Sequence, residues 1–212
     1  MEISEIFVGL TELTPTTLSI LGALVLFAIL FFILGPKAKF TTKAIVYGGL
    51  CVAIAFVLSY IRLYRWPQGG SITLVSMLPI FIYAYIFGPA AGVVAGAACG
   101  VLQLIQDPYI LHPVQVMLDY IIAFAALGLA GFSRKNILWG IAIGGFGRFF
   151  SSFLSGVIFF GSYAPEGMNP IVYSILVNGL VLGTDSLICL VVCLIPRVQH
   201  MIQSLKHSVV SN

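Results

Sequence analysis

The sequence predicts an all-α membrane protein built as a bundle of spanning helices, and three observations carry that prediction. Of the 212 residues, 60% are hydrophobic and only 8% charged, where soluble domains carry about 25% charged side chains. The apolar residues gather into seven long stretches joined by short polar or Pro/Gly-containing segments, and about 20 apolar residues in a helix cover the hydrocarbon thickness. Lys and Arg fall unevenly on the two sides that these stretches define. With the N-terminus outside, Lys37, Lys39, Lys43, Arg134, Lys135, Arg197 and Lys206 collect inside, and only Arg62 and Arg65 remain outside. Such an excess marks the cytoplasmic side, so the C-terminus is expected there. Glu2, Glu5, Glu12, Asp107 and Glu166 all fall outside under this topology.

The predicted helices run over 15–35, 42–61, 74–87, 90–106, 113–132, 138–160 and 171–195. The first follows a segment with three Glu and no Lys or Arg, so it lacks the basic start of a cleaved signal peptide and is expected to remain as a helix. The second carries Ala44, Gly48, Gly49 and Ala53, a small-residue surface on which another helix could pack closely. The third and fourth are short and joined by the turn signal Phe87-Gly88-Pro89-Ala90. In the fourth, Gly92, Gly96 and Gly100 recur every fourth residue, a spacing best explained by internal helix packing. The four cysteines, Cys51, Cys99, Cys189 and Cys193, lie in apolar stretches, where small buried thiols are packing residues. Residues 197–212 form a cytoplasmic tail.

Three charges interrupt the last three helices: Asp119, Arg148 and Asp185. Each costs about 2.5–3.5 kcal/mol at the centre of a membrane helix on insertion scales, so each needs a partner. Arg148 and Asp185 fall at similar depth in the inner half and read as a structural ion pair joining the sixth and seventh helices. Asp119, in the outer half, has no basic residue at its depth. Either it is protonated, or its partner is a cationic or hydrogen-bond-donating ligand. In the sixth helix Arg148, Ser152, Gly156 and Phe160 share one stripe, and the gap at Gly156 between hydroxyl and ring suits a flat molecule. Tyr173 and Asn178 on the seventh helix and Tyr109 before the fifth can complete the cavity. Aromatic rings, a carboxylate and an amide together suit a planar, nitrogen-rich cation.

Several chemistries are excluded by the residues present. The chain has no Walker A loop and no HExxH motif, and His112, His200 and His207 all lie at helix ends or in the tail. No helix interior supplies the His that a membrane serine protease would need. The expected protein is not an enzyme, and no metal site is expected.

A set of motifs in order resembles one family. Trp66-Pro-Gln-Gly-Gly-Ser-Ile-Thr, Gln106-Asp-Pro-Tyr-Ile-Leu-His-Pro-Val-Gln with Leu118-Asp-Tyr, Leu127-Gly-Leu-Ala-Gly, Ser155-Gly-Val-Ile-Phe-Phe-Gly-Ser-Tyr-Ala-Pro-Glu-Gly and Tyr173-Ser-Ile-Leu-Val-Asn-Gly resemble the thiamine-specific substrate-binding (S) component of energy-coupling factor (ECF) transporters. The resemblance spans about residues 40–196. It implies a six-helix S-component core over 41–196, preceded by a tail and an additional N-terminal transmembrane helix in 1–40. It also implies high-affinity capture of thiamine from outside and delivery inward by docking on a transmembrane coupling protein driven by two ATPase subunits. The chain itself would need no cofactor, since its partners consume the ATP.

By motif, Asp119 takes the acidic position that engages the vitamin's cationic or amino-bearing rings, with Tyr120 and Tyr109 beside it. Tyr173, Asn178 and Gly156 match ligand-lining positions, Trp66 lies in a covering loop, and Gly49 and Ala53 match the docking surface. Ser152 stands where the family is expected to have His, Phe160 where some members have Trp, and Val177 where related chains have Tyr. An S-component for a related heterocycle such as a thiamine precursor, or a solitary proton-coupled carrier using Asp119, Arg148 and Asp185, are the competing expectations.

Overall fold

A computed structural model describes residues 40–66 and 70–210. The expected N-terminal tail and helix over 15–35 lie outside the described residues, as do residues 67–69. Within them the chain forms helix α1 (Thr42–Leu58), a hairpin of strands β1 (Arg62–Arg65) and β2 (Ser71–Thr73), and helices α2 (Leu78–Phe87) and α3 (Pro89–Gln106). Helix α4 (Pro113–Phe132) follows, then α5 (Ile137–Phe159), α6 (Pro170–Leu194) and α7 (Pro196–Val210). Helices α3 to α6 are each long and apolar enough to cross a membrane, while α1 and α2 are shorter apolar helices. All six core helices expected from the sequence are present.

Helix starts follow local chemistry. The Thr41 hydroxyl accepts from Ala44 N–H at the head of α1, and the side chains of Asn136 and Asn169 accept from Leu138 and Ile171 N–H at the heads of α5 and α6. These caps satisfy N–H groups that have no partner within the helix. Proline occupies the first turn of α3, α4 and α6, where its missing N–H costs nothing. Gly88 joins α2 to α3 at φ 95°, a left-handed conformation suited to glycine. It makes the expected tight turn.

The core is assembled by close helix approach. A Cβ on Gly96 would run into the backbone of Phe124, one on Gly100 into Tyr120 and one on Gly92 into Ala84 and Gly128. The glycine stripe of α3 is therefore internal packing against α2 and α4, as its spacing suggests. Around it pack Met77, Ile80, Phe81, Leu127 and Ile141, with Cys99, Cys189 and Cys193 as buried free thiols.

Three features depart from the expected outline. The segment between α1 and α2 is an antiparallel hairpin, with Arg65 opposite Ser71 and a register irregularity between Arg62 and Tyr64. Helix α4 is not uniform: Met117–Ile122 is a π-helical turn and Leu127–Phe132 closes as 3-10 helix. The chain after 196 is not a plain tail but a helix whose Ile202 is buried. Lys206 on α7 donates to the Arg134 carbonyl and its ammonium lies 3.9 Å from the Tyr85 ring centre.

Candidate functional site

At the hairpin end of the bundle, α3 to α6 and the hairpin enclose a cavity of about 160 Å³. Its wall includes every residue that the sequence nominates for ligand contact: Trp66, Tyr109, Asp119, Tyr120, Ser152, Gly156, Phe160, Tyr173 and Asn178.

Asp119 owes its position to the π-helical turn. The wider winding turns both Asp119 and its neighbour Tyr120 into the cavity. π-turns inside α-helices are rare and concentrate at functional sites. Ser151 on α5 donates to the Leu118 carbonyl at 2.7 Å, satisfying a backbone acceptor inside this turn. The carboxylate accepts from Gln115 Nε2 at 2.6 Å and from the Ser155 hydroxyl at 2.8 Å. Both bonds reach Oδ2, and Oδ1 has no donor among the described residues. Asp119 is only partly accessible, and its accessible part belongs to the cavity wall.

Aromatic rings form the outer wall. Tyr109 stacks on Phe160 at 5.7 Å between ring centres and 22° between planes, and Phe160 lies 5.9 Å from Tyr163. Tyr109 donates to the Tyr163 hydroxyl at 3.0 Å. That hydrogen bond, then partial burial, pushes the Tyr109 phenol up to about 12, so it remains protonated through the physiological range. The Tyr109 N–H donates to the Tyr120 hydroxyl at 2.9 Å, which in turn donates to the Asp107 carbonyl at 2.8 Å. This chain of bonds ties the segment before α4 to the helix that carries the carboxylate.

The opposite wall is the contact between α5 and α6. Asn178 Nδ2 donates to the carbonyls of Ser152 and Ser174, at 3.3 and 3.1 Å, and lies 3.2 Å from Ser174 Oγ. Gly156 lines the cavity, yet the space on its Cβ side is already filled: a Cβ there would strike Ser174 Oγ and approach Asn178 Nδ2 to 3.0 Å. The expected gap at Gly156 is a helix contact rather than an open slot.

The expected ion pair between Arg148 and Asp185 is not made as a direct contact. Asp185 faces the hairpin, where it accepts from Thr73 N–H at 2.7 Å and lies 3.2 Å from Thr73 Oγ1 through each oxygen. The Arg148 guanidinium instead lies 4.1 Å from the centre of the Phe124 ring, and its Nε and Nη1 are buried without a hydrogen-bond partner among the described residues. Opposite charge still acts on it, since Asp185 and then Asp119 are near enough to matter electrostatically. All three charges line one cavity, whereas counting along the helices had separated Asp119 from the other two.

Sequence reasoning passed over Gln115, Ser155 and Ser174, which orient the carboxylate and the amide. Gln115 was signalled by its place four residues before Asp119, on the same helical face. Arg62 and Arg65 both pair with Asp107, at 2.8 and 2.7 Å. Their place in one inter-helix segment was legible, but the pairing needed the hairpin.

Gly49 and Ala53 are exposed on α1, and among the described residues a Cβ on Gly49 would meet nothing within 4 Å. Ala44 and Gly48 are not part of that surface. They are buried against Tyr83, whose hydroxyl donates to the Ala44 carbonyl at 2.9 Å. No cluster of metal-ligating side chains is found among the described residues.

A helical membrane bundle with a polar, aromatic-walled cavity under a hairpin has the architecture of a multi-pass membrane component that holds a small molecule. Residues 45–204 match the family described as Thiamine transporter protein (Thia_YuaJ), and the chain belongs to that family. It is similar to the thiamine transporter ThiT of Bacillus subtilis, at 34% identity over 147 residues, covering 61% of this chain and 76% of that protein. ThiT of Lacticaseibacillus paracasei is 32% identical over 154 residues, covering 61% and 74%. The solved structure of ThiT from Listeria monocytogenes superposes with a TM-score of 0.65 at 28% identity, covering 71% of this chain and 91% of that one. The chain is thus an all-α S-component of a thiamine transporter and not an enzyme.

Proposed function

We propose that this protein captures thiamine from outside in the cavity beneath the hairpin and delivers it inward when docked on an ECF transmembrane coupling protein driven by two ATPase subunits. The observation that carries the reading is Asp119. It is a carboxylate inside a membrane bundle, held by two donors on one oxygen, with aromatic rings and an amide in the same cavity wall. Such a site matches a flat cation that also carries an amino group. In this reading Asp119 engages the charged or amino-bearing rings. Phe160, Tyr109, Tyr173 and Trp66 supply ring faces and Tyr120 a phenol edge, while Asn178 and Ser152 offer polar contacts beside Gly156. Gly49 and Ala53 form the docking surface for the coupling protein.

The orientation places the cavity outside and the C-terminus in the cytoplasm. In its support, the basic residues Arg134 and Lys206 meet at the end of the bundle that holds α7 and the α2–α3 turn. The positive-inside tendency assigns that end to the cytoplasm.

Titration of the purified full chain with thiamine, hydroxymethylpyrimidine and riboflavin, followed by tryptophan fluorescence or calorimetry, tests the reading. Saturable binding is expected for thiamine and not for riboflavin. Absence of thiamine binding tighter than millimolar would overturn the assignment. Tighter binding of the pyrimidine than of thiamine would move it to the precursor. Uptake by vesicles containing this chain alone, driven by a pH gradient without ATP, would replace it with a solitary carrier.

A further inference from the structure

The hairpin forms part of the cavity wall through Arg62, Trp66, Gly70, Ser71 and Thr73, and it is fastened at two places of different character. Its outer strand is held by Arg62 and Arg65 on Asp107. Asp107 and Arg65 are substantially accessible, and ion pairs of that kind contribute little and are screened by salt. The inner strand is fastened in the interior. Thr73 is buried, and both its N–H and its hydroxyl meet Asp185, itself only 2% exposed. The Thr73 hydroxyl also lies 2.6 Å from Ser76 Oγ. A charged acceptor bonded to a backbone N–H away from water makes a stronger hydrogen bond than a surface pair does.

Immediately beyond this fastening the backbone is strained. Val75 has φ 54°, and among the described residues no other non-glycine position has a positive φ. A β-branched side chain rarely adopts that conformation, and such residues persist only where surrounding contacts over-determine them. Thr73 and Ser76 are those contacts, bracketing Val75 on both sides.

We propose that Asp185 is a positioning residue that acts as the catch holding the hairpin closed over the ligand, and that Val75 is the strained joint which relaxes when the catch lets go. The hairpin then opens by losing the Thr73–Asp185 contacts while the rest of α6 stays in place. Asp185 acts through Thr73, so its influence falls on the rates at which ligand enters and leaves rather than on any direct ligand contact. The inference rests on the reading of the cavity as the thiamine site only for its kinetic test.

Thr73→Val keeps shape and the backbone N–H but removes the hydroxyl. In the full chain, thiamine dissociation should accelerate ~10-fold, equivalent to one charge-assisted hydrogen bond, and association, which needs the same opening, should rise as well. Asp185→Asn should do at least as much. The double variant should lose no more than Asp185→Asn alone, because both act on one contact. At the joint, Val75→Gly should release thiamine about threefold more slowly than Val75→Ala, since only glycine relieves the left-handed strain.

A readout without ligand keeps the catch testable by itself. Amide hydrogen exchange in the segment 71–76 should rise about tenfold in Asp185→Asn, with α3 and α5 unchanged. Unchanged dissociation and unchanged exchange in well-folded variants would overturn the proposal, as would full additivity in the double variant. If the wild-type chain fails to bind thiamine, the functional reading falls, and amide exchange decides the catch independently.

Discussion

Asp119 shows how a charge that is costly in a membrane becomes usable. Gln115 and Ser155 both donate to the same carboxylate oxygen, which orients the group, and in the proposed function the other oxygen meets the ligand. Replacing Asp119 with Asn removes the charge and half of the acceptor capacity while conserving volume. Loss of one charge-assisted hydrogen bond is worth about 1.5–3 kcal/mol, so thiamine affinity should fall roughly 10- to 150-fold. Ser155→Ala keeps the carboxylate but removes one orienting donor, and should cost less, about 1 kcal/mol. Calorimetric titration of both variants checks the order. Equal losses in well-folded protein would place the ligand away from this carboxylate. Arg148 teaches the complementary lesson, because its expected partner Asp185 is committed to the hairpin and the guanidinium rests on the Phe124 ring instead.

Among the elements, α4 carries the site and α3 carries α4. The π-helical turn at Met117–Ile122 places two consecutive side chains in the cavity wall, and the glycine face of α3 allows its backbone to lie against that turn at Gly100 and against Phe124 at Gly96. Adding a methyl group at Gly96 would drive it into the backbone of Phe124 and Ala125, where no flexible side chain can yield. Gly96→Ala should therefore destabilise the fold by about 1–3 kcal/mol. Thermal unfolding in detergent measures this, and an unchanged melting temperature would mean that the α3–α4 contact is looser than described. Gly49 on α1 is the contrasting case, since a Cβ there meets none of the described residues and its substitution should leave the fold intact.

For the whole molecule, the proposed function assigns capture to the cavity and docking to the exposed small-residue surface of α1, two features that lie apart. Leucine at both Gly49 and Ala53 should leave thiamine affinity within about twofold. ATP-dependent uptake by vesicles holding the reconstituted transporter should fall at least tenfold, because bulky side chains prevent close helix approach. Normal uptake by this double variant would move the docking surface elsewhere. The buried Ala44 and Gly48, although of the same spacing and size class, belong to the contact with Tyr83 and lie outside that surface.

Apolar runs about as long as a bilayer is thick, and the one-sided placement of Lys and Arg, were sufficient by themselves to determine an all-helical membrane bundle, because solvent partition acts on each segment separately. The tight turn at Gly88 and the packing role of Gly92, Gly96 and Gly100 were legible for the same reason, being local. So was the membership of the cavity, since motif order preserved Asp119, Tyr173 and Asn178. Tertiary structure alone decided which polar groups meet: that Asp185 holds Thr73 rather than Arg148, that Asp107 gathers Arg62 and Arg65, and that Ser174 and Asn178 fill the space beside Gly156. It also decided the π-helical turn, whose winding follows from the contacts of α4 with its neighbours. Helical periodicity assigns a side chain to a face, but a hydrogen bond depends on angstrom-scale distances between segments far apart in the chain. Those distances exist only once the bundle has closed.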